Sequence, residues 1–503
     1  MNKNNIIYVV SFFSGFLSLA QEILWMRMIS FAGMSVPQTF SFTLALFLIG
    51  IATGAHIGKK LCQKRTHIRL NFLGQVFLLA TCVDLVLLLG IYLFAKYINL
   101  SILLLGGFVF ICAMVRGIVF PVVHHVGTHY IKTGSQISNV YFCNVIGSAL
   151  APLLISFIAL NFLNTQQVYL LVCSLTSVVG LLCLEQTRYK IVVVGFTLLL
   201  ASAITQPEKI YYELSKNSYR ENLYPINILE NKHGIIQIYD DHNDQVVFGA
   251  NVYDGKLNTN LFHNTNGIDR AYLLTVLKPD TENILVIGLS TGSWVKVLSM
   301  MPNIKKITVI EINPAYAQLI QSDPIVSDIL KDDRIEIIFD DGRKWVKKHQ
   351  EKQFDLVLMN TTWHWRAYVS NLLSQDFITL VKNTVKDDGY IFYNSTQSAD
   401  AFYTAKQVLP YVYQYKFMVL ASKNPIQLPN KNIIIKRLCL LKRHSNKKII
   451  FKNHFECTRA ADLIYSIPLV PYEKIDFQKF SSHLPTVITD DNMITEYKYG
   501  KGL

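Results

Sequence analysis

Ile284-Leu285-Val286-Ile287-Gly288-Leu289-Ser290-Thr291-Gly292 runs four apolar residues straight into a turn of small ones, and its reading decides the fold. A helical segment, Ser293 to Met301, follows it. A second apolar run, Lys306 to Ile310, then ends on an acid, Glu311, which lies 23 residues beyond Gly288. Strand, small-residue loop, helix, strand and acid, in that order, are the parts of a nucleotide-type site in an α/β sheet. Gly288 and Gly292 let the backbone approach a ligand, and Glu311 offers a carboxylate that can accept both hydroxyls of a ribose.

Further strands are expected at Ile335–Phe339, Phe354–Met359 and Tyr390–Asn394, separated by helical segments such as Asp376–Val385. The alternation implies a doubly wound parallel sheet with its ligand at the carboxyl ends of the strands. Two last strands, near Tyr415–Ala421 and Ile433–Leu441, would pair as an edge hairpin, an arrangement that favours an S-adenosylmethionine-type fold over a nicotinamide one. Asp341-Gly342, after the third strand, is placed for the adenine amino group. Upstream, Gly234–Tyr239 and Gln245–Ala250 alternate with period two around an Asp/Asn-rich turn and predict a β-hairpin, with Val252–Gly255 opening another turn. The helix Ile268–Leu277, stopped by Pro279, leads from this small antiparallel β domain into the sheet.

Before residue 206 the chain has a different character. Hydrophobic residues make up 51% of the 503-residue sequence and charged residues 17%. The long apolar runs lie almost entirely in residues 1–205, centred near 6–24, 40–57, 71–94, 100–123, 140–160, 166–184 and 190–205, so six or seven membrane helices are expected. Pro207 ends this region. Lys59, Lys60, Lys64, Arg65 and Arg69 after the second run, Lys132 after the fourth, and Arg188 with Lys190 after the sixth mark the cytoplasmic face, as does Lys3. If all seven runs crossed, the soluble half would emerge on the outer side, so the short last run is expected to lie in the interface or an earlier one to be re-entrant. Glu22 and Arg27, flanking Trp25, are expected to pair or snorkel near a helix end. Asp84, Arg116, Asn139 and Asn144 also sit at membrane depth. Gly50, Gly54 and Gly58 have the small-xxx-small spacing of helix packing. The formal charge of +13 follows from the membrane bias, and no base-reading aromatics accompany it, so nucleic acid is not expected as a partner. Eight scattered cysteines with no CxxC pair argue against a metal site and a disulfide framework.

The sequence resembles the spermidine synthase family of polyamine aminopropyltransferases, and within it bacterial proteins that fuse a multi-span membrane region to a spermidine-synthase-like domain. The resemblance is carried by Asp254-Gly255, by Ile287–Gly292, by Val309-Ile310-Glu311-Ile312-Asn313-Pro314, by Asp341-Gly342-Arg343 and by Asn371–Phe377. In the apolar half it is carried by Glu22–Arg27 and Asn144–Gly147, and at the tail by Thr489-Asp490-Asp491 with Glu496-Tyr497. It implies S-adenosylmethionine or its decarboxylated form as a substrate, held by Gly288, Ser290, Gly292, Glu311, Asp341 and Gly342. It also implies an amine acceptor met by Asp254 and by Asn258, where the family has Gln. The chain departs from the family after the fourth strand. There an Asp-Ser-Thr-Asp gives way to Asn360-Thr361-Thr362-Trp363, and with it goes the Asp that accepts the amine's proton. Trp363-His364-Trp365-Arg366 stands at that strand end. His364, beside Asn360, is the expected base, with Trp363 and Trp365 as cation–π partners and Arg366 as a selector of an anionic group. A basic tract from Lys431 to Lys452 reads as a solvated face or as a surface held against anionic headgroups, and Asp490-Asp491 either reaches the site, as the resemblance implies, or forms a solvated tail turn. The expected organisation is a multi-pass helical membrane domain over 1–205, a connector and small β domain over 206–282, a Rossmann-like methyltransferase-type domain over 283–442 and a C-terminal extension over 443–503. Its setting is the inner membrane with the soluble part in the cytoplasm. Its partners are a small amine, membrane lipids and a second copy in a homodimer.

Overall fold

The computed structural model describes residues 3–64, 68–97, 101–128, 134–203, 208–216, 218–241, 244–360 and 362–503. Arg65, Lys132 and Pro207 lie outside them. The chain divides into two compact units, Met1–Ile235 and Ile236–Leu503.

In the first unit, six helices among the described residues are long and apolar enough to cross a membrane: Asn5–Ala32, Gln38–Lys64, Leu70–Ala95, Ile102–Gly127, Ile137–Phe162 and Thr165–Cys183. The seventh apolar run forms the helix Thr187–Ala203, whose 17 residues span about 26 Å, short of a hydrocarbon core of about 30 Å. Lys59, Lys60 and Lys64 belong to the last turns of the second helix and not to a loop. Glycines set the helix spacing. A Cβ at Gly54 would overlap the carbonyl oxygen of Met114, and one at Gly50 would stand 2.7 Å from the carbonyl oxygen of Phe110, so the second and fourth helices touch backbone to backbone. Asp84 and Arg116 form a buried ion pair, joined by Cys112, whose thiol donates to the Asp84 carboxylate at 3.2 Å. Arg27 does not pair with Glu22. It donates to Thr165 and, at 3.3 Å, to Glu230 on strand β1 (Asn227–Asn231), whose carboxylate also accepts from the Thr165 backbone. A tertiary partner 203 residues away outcompetes the helical neighbour because it satisfies the guanidinium away from lipid.

The second unit begins with an antiparallel meander of β2 (Gly234–Asp241), β3 (Asp244–Gly249) and β4 (Val252–Lys256). The expected turn at 252–255 is itself a strand, reached through Ala250 and Asn251, both at positive φ. The larger sheet holds β5 (Asn283–Ile287), β6 (Lys306–Glu311), β7 (Ile335–Phe339), β8 (Phe354–Met359), β9 (Val385–Asn394), β10 (Tyr411–Tyr415), β11 (Met418–Ser422) and the short β12 (Val470–Pro471). Its order is β12-β10-β11-β9-β8-β5-β6-β7. β7, β6, β5, β8 and β9 run parallel, and β11 joins β9 antiparallel. Leu285, Ile287, Val357, Met359 and Ile391 fill one face of it against Phe377 and Val381. The edge hairpin is β10–β11, tighter than expected, because the segment expected as its second strand is the helix Lys431–Cys439. That helix is bonded by Cys439 to Cys457 of the helix His454–Tyr465, a disulfide the cysteine spacing did not suggest.

Asp490 and Asp491 form an exposed turn, as expected, closed by the Thr489–Asn492 bridge, but the tail around them is fastened to the unit. Glu496 is 1% exposed and accepts from the backbone N–H of Tyr368 at 3.0 Å, from that of Ser370 at 2.7 Å and from the Ser370 hydroxyl at 2.6 Å. Asp490 accepts from Arg343 and Ser374, both at 2.8 Å. Buried Asp400 accepts from the Thr486 N–H and the Thr495 hydroxyl and meets His483 at 3.0 Å. The C-terminal strap therefore fixes the loop that follows β8. Glu496→Ala leaves two loop N–H groups without their acceptor, at a cost of about 1–3 kcal/mol. Amide exchange at Tyr368 and Ser370 should rise about tenfold or more over the wild type, and unchanged protection would show that the strap does not hold the loop.

Candidate functional site

A cavity of about 220 Å³ opens at the carboxyl ends of β5, β8 and β9, lined in part by Ser290, Asn360 and Asn394 and faced by Asp254 of β4. The ladder explains its position. Ile287 ends β5, the next residue turns at φ +91°, and Ser290 and Gly292 follow at φ +49° and +72° before the helix Ser293–Leu298 starts. Gly288 is required, since a Cβ there would lie 2.7 Å from the carbonyl oxygen of Asn360. The loop is tied to β4 by the Ser290 hydroxyl, which donates to the Asp254 carbonyl at 2.9 Å.

Two carboxyls stand beside this loop, Glu311 buried and Asp254 half-buried. Asp254 accepts from the Tyr316 hydroxyl at 2.6 Å; burial pushes its pKa up, against the Tyr316 hydrogen bond and the Arg366 charge. Glu311, at the end of β6, accepts from the N–H of Leu289 and of Asn313, each at 2.8 Å. Burial, with a smaller push from Asp254, raises it to about 7 against those two N–H groups.

The other expected residues divide. Asn360 and Trp363 line the cavity together with Thr362. Trp365 stacks on Trp363, with centroids 6.0 Å apart and planes at 28°. Arg366 donates to Thr362 at 3.0 Å and lies in the field of Asp254, so it sits with an acid and not as a bare anion selector. His364 is outside the lining. Its Nδ1 meets the Thr396 hydroxyl at 2.8 Å, and burial lowers its pKa. Asp341 caps the helix Gly342–Lys348 by accepting from the Lys344 N–H at 2.7 Å, and a Cβ at Gly342 would press on Ile287. Asn258 is taken up within its own loop, donating to the His263 carbonyl and to Thr265 and accepting from the Asn260 N–H.

Sequence reading missed Arg270 and Trp294, both lining the cavity, and the turn Thr396-Gln397. Arg270 and Trp294 were read only as members of helices. The turn holds two residues at φ +49° and +70°, a strained conformation for β-branched Thr396 at a cavity wall. No local pattern announces it.

Residues 272–429 match the spermine/spermidine synthase domain family. The chain is 20% identical over 416 residues to the polyamine aminopropyltransferase of Oceanobacillus iheyensis, covering 79% of this chain and 78% of that protein. It is likewise 20% identical over 458 residues to polyamine aminopropyltransferase 2 of Aquifex aeolicus, covering 86% and 90%. Identity rises to 31% over 128 residues of the Clostridioides difficile polyamine aminopropyltransferase, covering 25% of this chain and 44% of that one. Among solved structures, a spermidine synthase in complex with the transition state analogue AdoDATO aligns at 16% identity and a TM-score of 0.37, over 47% of this chain and 86% of its own. Residues 272–429 of the second unit thus match a spermine/spermidine synthase domain, and the glycine loop, Glu311 and the Asp341-Gly342 strand end that carried the resemblance fall within that match.

Ribose hydroxyls donate to a carboxylate, so an adenosyl ligand draws Glu311 into its ionised form. Because the folded pKa is raised from 4.5 to about 7, the protonated acid's contribution to stability is present below 4.5 and lost as pH rises through about 7. Ligand affinity runs the other way. Methylthioadenosine titrated into the full chain should bind up to about tenfold tighter per pH unit on the acid side of 7, with proton release, and level off above it. Glu311→Gln should flatten that slope; a slope that survives assigns the proton elsewhere.

Proposed function

We propose that the protein is a membrane-integrated transferase of the aminopropyltransferase type, acting on an adenosyl sulfonium substrate and an amine. The observation that carries this reading is Asp254, a half-buried carboxyl on the wall of the cavity directly behind the Gly288–Gly292 turn, in a chain whose residues 272–429 match the spermine/spermidine synthase domain. The amine lone pair attacks the methylene carbon bound to the sulfonium sulfur. The carbon–sulfur bond breaks, its electron pair passes to sulfur, and methylthioadenosine leaves. The ammonium so formed must lose a proton, and Asp254, with a pKa raised by burial, is the acceptor beside the cavity. Holding both reactants in line supplies much of the rate. Asn360 stands at the strand end as a hydrogen-bonding group, Trp363 offers a π face to a cation, and His364 positions Thr396 on the wall. Glu311 and the glycine turn take the nucleoside.

Decarboxylated S-adenosylmethionine and putrescine, given to the full chain in detergent, are expected to yield methylthioadenosine. Asp254→Asn should lower that turnover by about 10²–10⁴-fold, and His364→Ala by much less. Wild-type protein that binds methylthioadenosine but never turns over would sink the transferase reading.

With six crossings, the helical unit begins and ends on one side. The lysines closing the second helix, with Lys190, favour the cytoplasm for that side. Glutathione there keeps cysteines reduced, so Cys439 and Cys457 are expected as two alkylatable thiols in cells. A reporter fused after residue 206 that works only outside the cytoplasm, with both cysteines protected as their disulfide, would reverse this topology.

A further inference from the structure

We infer that the cavity takes a ligand bearing a carboxylate, bound by Arg270, so that one of the two reactants ends as an α-amino acid does. This rests on the cavity being the transferase site. Arg270, in the first turn of the helix Asp269–Leu277, lines the same cavity as Asp254 and lies over the indole of Trp294 at 4.7 Å.

The guanidinium has poor company for a charged group. Its Nε donates to the Gly267 carbonyl at 2.9 Å and Nη2 to the Asn266 carbonyl at 3.2 Å, while Nη1 reaches only the Met418 sulfur at 3.8 Å, a weak acceptor. These contacts engage three of five N–H donors, and none is an anion. The adjacent acid, Asp269, is already held by Lys416 at 2.8 Å, Asn264 at 2.5 Å and Tyr415 at 3.3 Å. Among the described residues no carboxylate forms an ion pair with Arg270.

A guanidinium does not shed its proton on burial, so it keeps its charge and its demand for a planar acceptor. Trp294 covers one face, and the edge carries the hydrogen-bonding capacity, the geometry that suits a bidentate carboxylate. Opposite in sign, Asp254 suits an ammonium. One cavity with both is built for a zwitterion. A decarboxylated sulfonium with a plain diamine brings no negative charge to it. The carboxylate therefore comes either from the methionine end of intact S-adenosylmethionine or from an acceptor that is itself an amino acid.

The competing role for Arg270 is to pin the turn at Gly267, where a Cβ would stand 2.8 Å from its Nη2. Calorimetry on the full chain in detergent separates these roles. In one arm, methylthioadenosine, S-adenosylmethionine and decarboxylated S-adenosylmethionine are titrated. In the other, with and without methylthioadenosine, ornithine is compared with putrescine and lysine with cadaverine, pairs that differ only by the carboxylate. The expected result is a preference of about tenfold or more for the carboxylated member in one arm. Arg270→Met, which keeps an apolar stem over Trp294, should remove it while methylthioadenosine affinity stays within about twofold. Preference in the first arm places the carboxylate on the donor, and in the second on the acceptor. Equal affinity within the pairs in both arms overturns the inference, as does an Arg270→Met protein that loses methylthioadenosine to the same degree. Wild-type protein that fails to bind methylthioadenosine overturns the adenosyl reading instead, and the amino-acid arm run without it still decides for or against the carboxylate.

Discussion

The close approach of two strand ends, the turn after β5 and the carbonyl of Asn360 after β8, is the constraint on which the site depends. At Gly288 there is room for a hydrogen and nothing larger, so the β5 turn lies against its neighbour and the chain leaves the sheet at once. The Asn360 N–H donates to the Ile287 carbonyl at 2.9 Å, and the Gly288 N–H to the Ile310 carbonyl at 2.9 Å, so the ladder continues on both sides of the turn. The cavity opens where that ladder ends. Its floor is therefore backbone held by parallel-sheet hydrogen bonds, and the reactive side chains project from loops anchored to it.

Burial decides the electrostatics there. Desolvation raises both Asp254 and Glu311, and each is then partly recompensed by hydrogen bonds, from a tyrosine in one case and from two backbone N–H groups in the other. Tyr316 connects them in space, since its hydroxyl donates to Asp254 while it stands in the first turn after the Glu311 strand. In such surroundings Arg270 keeps its charge at a cost that the protein itself does not offset by a contacting carboxylate.

Long-range fastening is the other theme. The strap from His483 to Tyr499 inserts Glu496 among backbone donors near residue 370 and uses Asp400 as its own anchor, so the tryptophan-rich loop after β8 is braced from behind. In the first unit, buried polar groups act in the same way: Asp84 accepts from Cys112 and pairs with Arg116 on another helix, and Arg27 is met by Glu230. Each of these fastenings joins residues distant in sequence.

The sequence by itself determined what local periodicity and strand-end chemistry can carry. That includes the six apolar helices, the parallel strands β5 to β9, the glycine turn with Glu311 beyond it, and the packing role of Gly50 and Gly54, because each depends on neighbours within a few residues or on one repeated spacing. Only the tertiary structure decided which side chains meet. It took His364 off the cavity wall by giving it Thr396, enclosed Asn258 within its own loop, turned Arg27 to Glu230, made a helix of 431–439, bonded Cys439 to Cys457 and brought Arg270 over Trp294 into the cavity. A side chain's role follows from the partner that satisfies it at least cost. That partner is often set by a chain crossing, 32 residues long for His364 and 203 for Arg27, which no local pattern records.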